Sequence, residues 1–183
     1  QTITQFRVEF SQIPQLETQV SNVPPLIAAK AQSSQFISVV CKAPFSEPLT
    51  LSLYFEFNRK YYRFNIKLPI AVHKFVEPLQ LNSADAFFQQ WNAIPKGTPQ
   101  EVAKAFKQAP DYTNIDNVKS LLRDGFNLAV LEGIDPSPHN VVAAGTFYFG
   151  NDRTAVLLRV QTDPQKQAFR LTVRTSDPTL SQE

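Results

Sequence analysis

The chain has 183 residues, enough for one large domain or two small ones, and its 43% apolar content supports a real core. A net charge of +2, with no basic run interleaved with aromatics, gives no case for a nucleic-acid partner. No stretch is long or apolar enough to insert into a bilayer, no signal peptide is visible, and the single cysteine, Cys41, excludes an internal disulfide framework and suits a reducing compartment. Fourteen prolines against five glycines favour connections stiffened by proline, and the lack of any methionine, even at position 1, leads us to expect a piece of something longer.

In Gln1 to Phe10, Phe6, Val8 and Phe10 alternate strictly and predict a half-buried strand. The segment 11–32 carries Pro14, Pro24 and Pro25 and has room for one or two short strands that the pattern does not place. Phe36 to Cys41 reads as a strand between Ser33-Ser34 and Pro44. The clearest strand follows, with Leu49, Leu51, Leu53, Phe55 and Phe57 alternating with Thr50, Ser52, Tyr54 and Glu56. Asn58-Arg59-Lys60 turns it into Tyr62, Phe64, Ile66 and Leu68. A meander with one apolar face reads as part of a β-sandwich. An immunoglobulin-like sandwich needs about seven strands, more than are visible here, so the opening strands are expected upstream of Gln1.

Leu68 to Pro78 is an apolar hinge. His73 has no second ligand near it in sequence, so a solvated or capping role is expected rather than a metal role. From Asn82 to Ile94 the pattern changes. Ala84, Phe87, Phe88, Trp91 and Ile94 recur at helical spacing, Asn82 or Ser83 can cap the start, and Pro95 disfavours continuation. Two readings of this aromatic stripe are open: all three rings are core, or Trp91 lies half exposed at the margin as an anchor for a partner. Thr98-Pro99-Gln100-Glu101 has the form of a capping box with proline at the first helical position. It predicts a second helix through Val102, Ala103, Ala105 and Phe106 that stops before Pro110. Asp116 is placed to cap a third short helix through Val118, Leu121 and Leu122, with Gly125 as its stop. Strands are predicted at Phe126 to Leu131, Val141 to Phe149, Thr154 to Val160 and Phe169 to Arg174. Turns at Asp135-Pro136-Ser137-Pro138, Gly150-Asn151-Asp152 and Asp163-Pro164 separate them. The fold class is therefore α+β: an immunoglobulin-like β-sandwich over 1–70, incomplete at its N-terminus, followed over 71–183 by a platform of helices on an antiparallel sheet.

No catalytic motif stands out. A Gly-rich phosphate loop, G-x-S-x-G and H-E-x-x-H are all missing, and two histidines with one cysteine cannot make a zinc cluster. No cofactor or metal is expected. Cys41 lies in an apolar strand, where burial keeps a thiol inert. One constellation is suggestive. Arg170 and Arg174 share parity in the last strand, and Arg159 lies in the strand before it. If their sheet face also carries the helix with Trp91, guanidinium groups would flank an aromatic pocket suited to acidic-aromatic peptides. The other reading is solvated strand arginines.

Phe87-Phe88-Gln89-Gln90-Trp91, Leu131 to Pro138, Leu157-Leu158-Arg159 and Phe169 to Ser176 together resemble the ear (appendage) domain of alpha-adaptin, a large subunit of the plasma-membrane clathrin adaptor complex. Lys67-Leu68-Pro69-Ile70 and Lys74-Phe75 fit as well. The resemblance implies a sandwich followed by a platform. It implies a non-catalytic hub that recruits endocytic accessory proteins through DPF, DPW or FxDxF peptides, in the cytoplasm at coated pits on the inner face of the plasma membrane. Other subunits of the adaptor complex would be further partners. By this resemblance the platform pocket is Phe88 and Trp91 with Arg159 and Arg174, joined by Arg170 and Glu101, and Trp91 is partly solvent-accessible. Gln161 stands where the family often has an acidic residue. Most of the sandwich side groove would lie before Gln1, with Gln32 as one match. The alternatives are the appendage of another coat, a beta-type adaptin or coatomer, and a small enzyme with an unrecognised site.

Overall fold

The computed structural model describes residues 1–107, 114–163 and 165–182. The chain divides into two compact units, Gln1–Ala71 and Val72–Glu183.

The first unit is all β. Strands β1 (Thr4–Phe10), β4 (Thr50–Phe57) and β5 (Lys60–Lys67) form one antiparallel sheet in the order β1-β4-β5, and β2 (Leu16–Val20) pairs with β3 (Ile37–Cys41) in a second. Both β2 and its partner are short, and β2 falls in the stretch whose pattern did not place it. The two sheets form a sandwich with five strands among the described residues. Alternation in β4 sends Leu51 inward, and it joins Ile13, Cys41, Phe45 and Leu49 in the buried core. Burial pushes the Cys41 thiol up, and its Sγ donates to the Ala43 carbonyl. Every residue of β5 is exposed, Phe64 and Ile66 included.

The second unit is built on a six-stranded antiparallel sheet. Its strands are β6 (Val76–Pro78), β7 (Glu101–Lys107), β8 (Ala129–Val130), β9 (Asn140–Phe149), β10 (Asp152–Asp163) and β11 (Ala168–Thr175), with path β6-β9-β10-β11-β7 and β8 on β9. The long central strands are paired by the Gly150 turn, whose glycine takes the left-handed conformation at φ 57°. Each face of the sheet carries a helix. On one side lies α1 (Ala84–Ala93), capped by Ser83, whose hydroxyl accepts from the Ala86 N–H. Its Phe87 and Trp91, one helical turn apart, pack on Ala129, Leu131, Val142, Ala144 and Leu157. On the other side α2 (Ile115–Ser120) runs into a π-helical turn at Leu121–Gly125. That layer puts Val118 and Leu122 over Val160 and Leu171. With both faces covered, five consecutive residues of β9, Val141 to Gly145, are buried.

Three expectations are corrected. The segment after Thr98 is strand β7, not a helix: its register on β11 pairs Glu101 with Arg174 and Phe106 with Phe169. Thr98 does not cap; its hydroxyl bonds the Pro95 carbonyl and the Glu101 N–H closes a turn on the Thr98 carbonyl. Ladder pairing along the whole strand outweighs a local capping signal. The expected stop at Pro110 lies outside the described residues. The third helix is capped by Asn114, whose side chain takes the Asp116 N–H. The strand expected from Phe126 to Leu131 shrinks to Ala129–Val130, because Phe126 closes the π turn and Asn127 has a left-handed φ of 56°.

Candidate functional site

Cross-strand partners share a face, so the register assigns the site residues directly. Leu157 is opposite Arg174 and Arg174 opposite Glu101; Arg159 is opposite Thr172; Gln161 is opposite Arg170 and Arg170 opposite Ala105. Arg159, Arg170, Arg174 and Glu101 therefore lie on one face. Leu157 is also on that face and packs on Phe87 and Trp91, so it is the α1 face. Of the six residues singled out from sequence, Trp91, Glu101 and Arg174 are in direct contact, Arg159 and Arg170 share their sheet face, and Phe88 comes from α1 beside Phe87.

Their environments differ. Trp91 is 7% exposed, which corrects the expectation of an accessible anchor. Its ring stacks on Phe87 at 5.5 Å and 22°, and the Arg174 guanidinium carbon sits 4.4 Å from its centroid. Arg174 is itself buried, and this is why the indole is covered. Its Nη1 donates to the Trp91 carbonyl at 2.7 Å, while Nε and Nη2 both reach Glu101 Oε2 at 2.6 Å. The other oxygen of Glu101 accepts the Gly97 N–H at 3.3 Å. Burial works to raise the Glu101 carboxyl, but the bonds from Arg174 and Gly97 and the charges of Arg174 and Lys96 prevail and hold it below its ordinary value. A helix carbonyl, an indole and a strand carboxylate are thus tied to one guanidinium.

Arg159 has a partner that the sequence reading missed. Its Nε donates to Asp135 Oδ2 at 2.7 Å; the Asp135 side chain is 2% exposed and that of Arg159 27%. The other oxygen of Asp135 accepts from the Ser137 N–H and from Asn140 Nδ2, both at 3.0 Å. Burial favours the neutral acid, yet these donors and the arginine charge keep the carboxyl below its usual range. The signal was present: Asp135-Pro136-Ser137 is an Asx turn, but a turn motif alone does not name the strand residue it will face.

Phe88 is half-buried and meets Phe87 edge-on at 5.3 Å, and Arg170 is exposed. Because α1 is only ten residues long, it covers one end of the sheet face. Beyond it Arg159, Gln161, Arg170 and Ala105 continue the same face with no helix over them among the described residues. Chemically, this gives a partly open strip of guanidinium groups beside an aromatic wall. Among the described residues no three His, Cys, Asp or Glu side chains gather as a metal site, and no helix is long and apolar enough to cross a membrane. His73, half-buried, meets Phe126 edge-on at 5.3 Å, and burial together with the Lys74 charge lowers its pKa.

The chain is 34% identical over 181 residues to AP-2 complex subunit alpha-2 of Dictyostelium discoideum, which covers 98% of this chain and 18% of that protein. It is 33% identical over 175 residues to AP-2 complex subunit alpha-1 of Arabidopsis thaliana, covering 91% of this chain and 16% of that protein. It is 26% identical over 119 residues to AP-2 complex subunit alpha of Schizosaccharomyces pombe, covering 64% and 13%. The chain thus spans less than a fifth of the length of these curated relatives. Residues 74–183 match the family described as Alpha adaptin AP2, C-terminal domain. The chain belongs to that family, whose members are non-catalytic interaction modules of clathrin adaptor complexes.

Proposed function

We propose that the second unit recruits endocytic accessory proteins by binding short DPF, DPW or FxDxF peptides on the α1 face, as part of an AP-2-type adaptor at coated pits on the cytoplasmic side of the plasma membrane. The observation that carries this reading is the uncovered part of that face, where Arg159 and Arg170 extend the strip that starts at the Trp91–Arg174–Glu101 cluster. In this reading the buried cluster is the floor of the site and not its contact surface. Phe88 offers the aromatic wall, while Arg159 and Arg170 offer forks for a peptide carboxylate. The AP-2 alpha subunits it resembles support the adaptor setting, with the other subunits of such a complex as further partners.

A peptide of three to five residues makes a contact far below a standard interface, so binding is weak, in the range of about micromolar to hundreds of micromolar. Recruitment then depends on several motifs per tail, through effective concentration. The test is calorimetric titration of D-P-F and D-P-W peptides into wild type, Phe88→Ala and Arg170→Ala, positions outside the buried cluster. Each substitution is expected to weaken binding, Arg170→Ala by about 1.5–3 kcal/mol as for a hydrogen bond to a charged group. Unchanged affinity in both variants, or no binding by wild type, removes the proposal.

A further inference from the structure

Strand β7 is the last strand of its sheet, and among the described residues nothing pairs with its outer side. Ala103, Lys104, Ala105, Phe106 and Lys107 are all exposed. Such an edge offers a row of free backbone donors and acceptors. Its two faces differ. Ala103, Ala105 and Lys107 lie on the α1 side. Lys104 and Phe106 lie on the α2 side, beside a groove of about 230 Å³ lined only by apolar side chains. Three of those, Phe106, Leu121 and Phe126, are 42%, 38% and 40% exposed, large values for a contiguous apolar set. Neither Lys104 nor Lys107 has a carboxylate partner among the described residues.

We propose that the outer edge of β7 takes an extended acidic peptide as an added strand, with alternate aliphatic side chains entering the groove beside Phe106. Its apolar groove lies on the opposite sheet face from the one under Proposed function, its carboxylate positions reach the rim of the α1 face at Ala105 and Lys107, and the proposal does not depend on that reading. Strand addition gives affinity through the main chain and specificity through alternate side chains. A period of two places every second residue of the peptide over Ala103 and Ala105, where small side chains leave room for carboxylates that reach Lys107. The intervening residues face Phe106, Leu121 and Phe126. Lysines on an open edge deter a neutral or basic strand, and the same charges attract an acidic one.

The probe is the capped peptide Glu-Val-Asp-Leu-Glu-Val-Asp, which has no aromatic residue and no D-P-F or D-P-W motif. Calorimetry should show binding below about 1 mM. Lys107→Glu and Leu121→Asp, both surface positions whose folding is checked by thermal unfolding, should each weaken it about tenfold or more. The same peptide N-methylated at alternate residues should not bind, and an excess of D-P-F peptide should not displace the parent. Any of these binding results overturns the proposal: no binding at that concentration; unchanged affinity in both variants; full binding of the N-methylated peptide; or displacement by the D-P-F peptide, which would move the probe onto the strip of Arg159 and Arg170. If sedimentation shows a dimer that Lys107→Glu dissociates, the edge belongs to a second copy of this chain, and the proposal also fails.

Discussion

Arg174 shows how a residue can be part of a binding face and part of the core together. Each of its three nitrogens is engaged, Nε and Nη2 by Glu101 and Nη1 by the Trp91 carbonyl, and the guanidinium lies over the indole. Arg174→Ala would leave the Glu101 carboxylate buried without its cation, a change that costs about 3–5 kcal/mol. Chemical denaturation followed by circular dichroism should show the second unit destabilised by that amount. Arg174→Lys should recover only part of the loss, because an ammonium cannot hold two partners and stack. An effect under about 1 kcal/mol would mean the pair behaves as a solvated one. Trp91→Ala belongs to the same class. With the ring buried against Phe87, truncation costs about 3–5 kcal/mol, so lost peptide binding in that variant would report unfolding as much as contact. Of the two readings open from sequence, the core reading of Trp91 is the one the structure bears out.

At the scale of elements, period-two alternation located β4 and β5, and apolar runs set off by turn residues located β9 to β11, where burial on both sheet faces erases the alternation in β9. It did not locate β2, a five-residue strand whose pattern is mostly polar. Strand β7 failed for another reason. Glu101-Val102-Ala103-Lys104-Ala105-Phe106-Lys107 holds five good helix formers among its seven residues, and what overrides them is a partner more than sixty residues away, β11. The gathering of arginines on the α1 face was legible as shared parity within β11. Its tie to Trp91 was not, since that depends on which face α1 chooses. Another close approach is hidden in β9. A Cβ built on Gly145 would lie 2.5 Å from Val76 Cγ1 and 2.6 Å from Leu128 Cδ2, where β6 pairs alongside β9. Gly145→Ala should therefore cost about 1–3 kcal/mol by overpacking, with an unchanged urea m-value. A neutral Gly145→Ala would mean that β6 can shift away freely.

For the whole molecule, the buried ion pairs are unevenly distributed. Both carboxylates that combine deep burial with arginine, Glu101 and Asp135, lie in the second unit. The pairs of the first unit, Arg7–Glu9 and Lys42–Glu17, are surface ones. Depressed carboxyl pKa values stabilise the fold above the ordinary values, 4.5 for Glu and 3.8 for Asp, and that contribution is lost as pH falls through the still lower folded values. Urea midpoints measured between about pH 6 and pH 3 should fall for the second unit, and Glu101→Gln should flatten part of the slope. A pH-independent midpoint would show that neither carboxylate keeps its native charge preference. Following the second unit by itself is feasible because of where the indole lies. The only tryptophan is in the second unit, whereas the five tyrosines are divided between the two. Indole emission therefore reads the second unit alone. Because a guanidinium lies over that indole, a ligand that draws Arg174 away should alter its emission while the rest of the fold stays silent. The protein carries its own optical probe of whether the floor of the site moves when the site is filled.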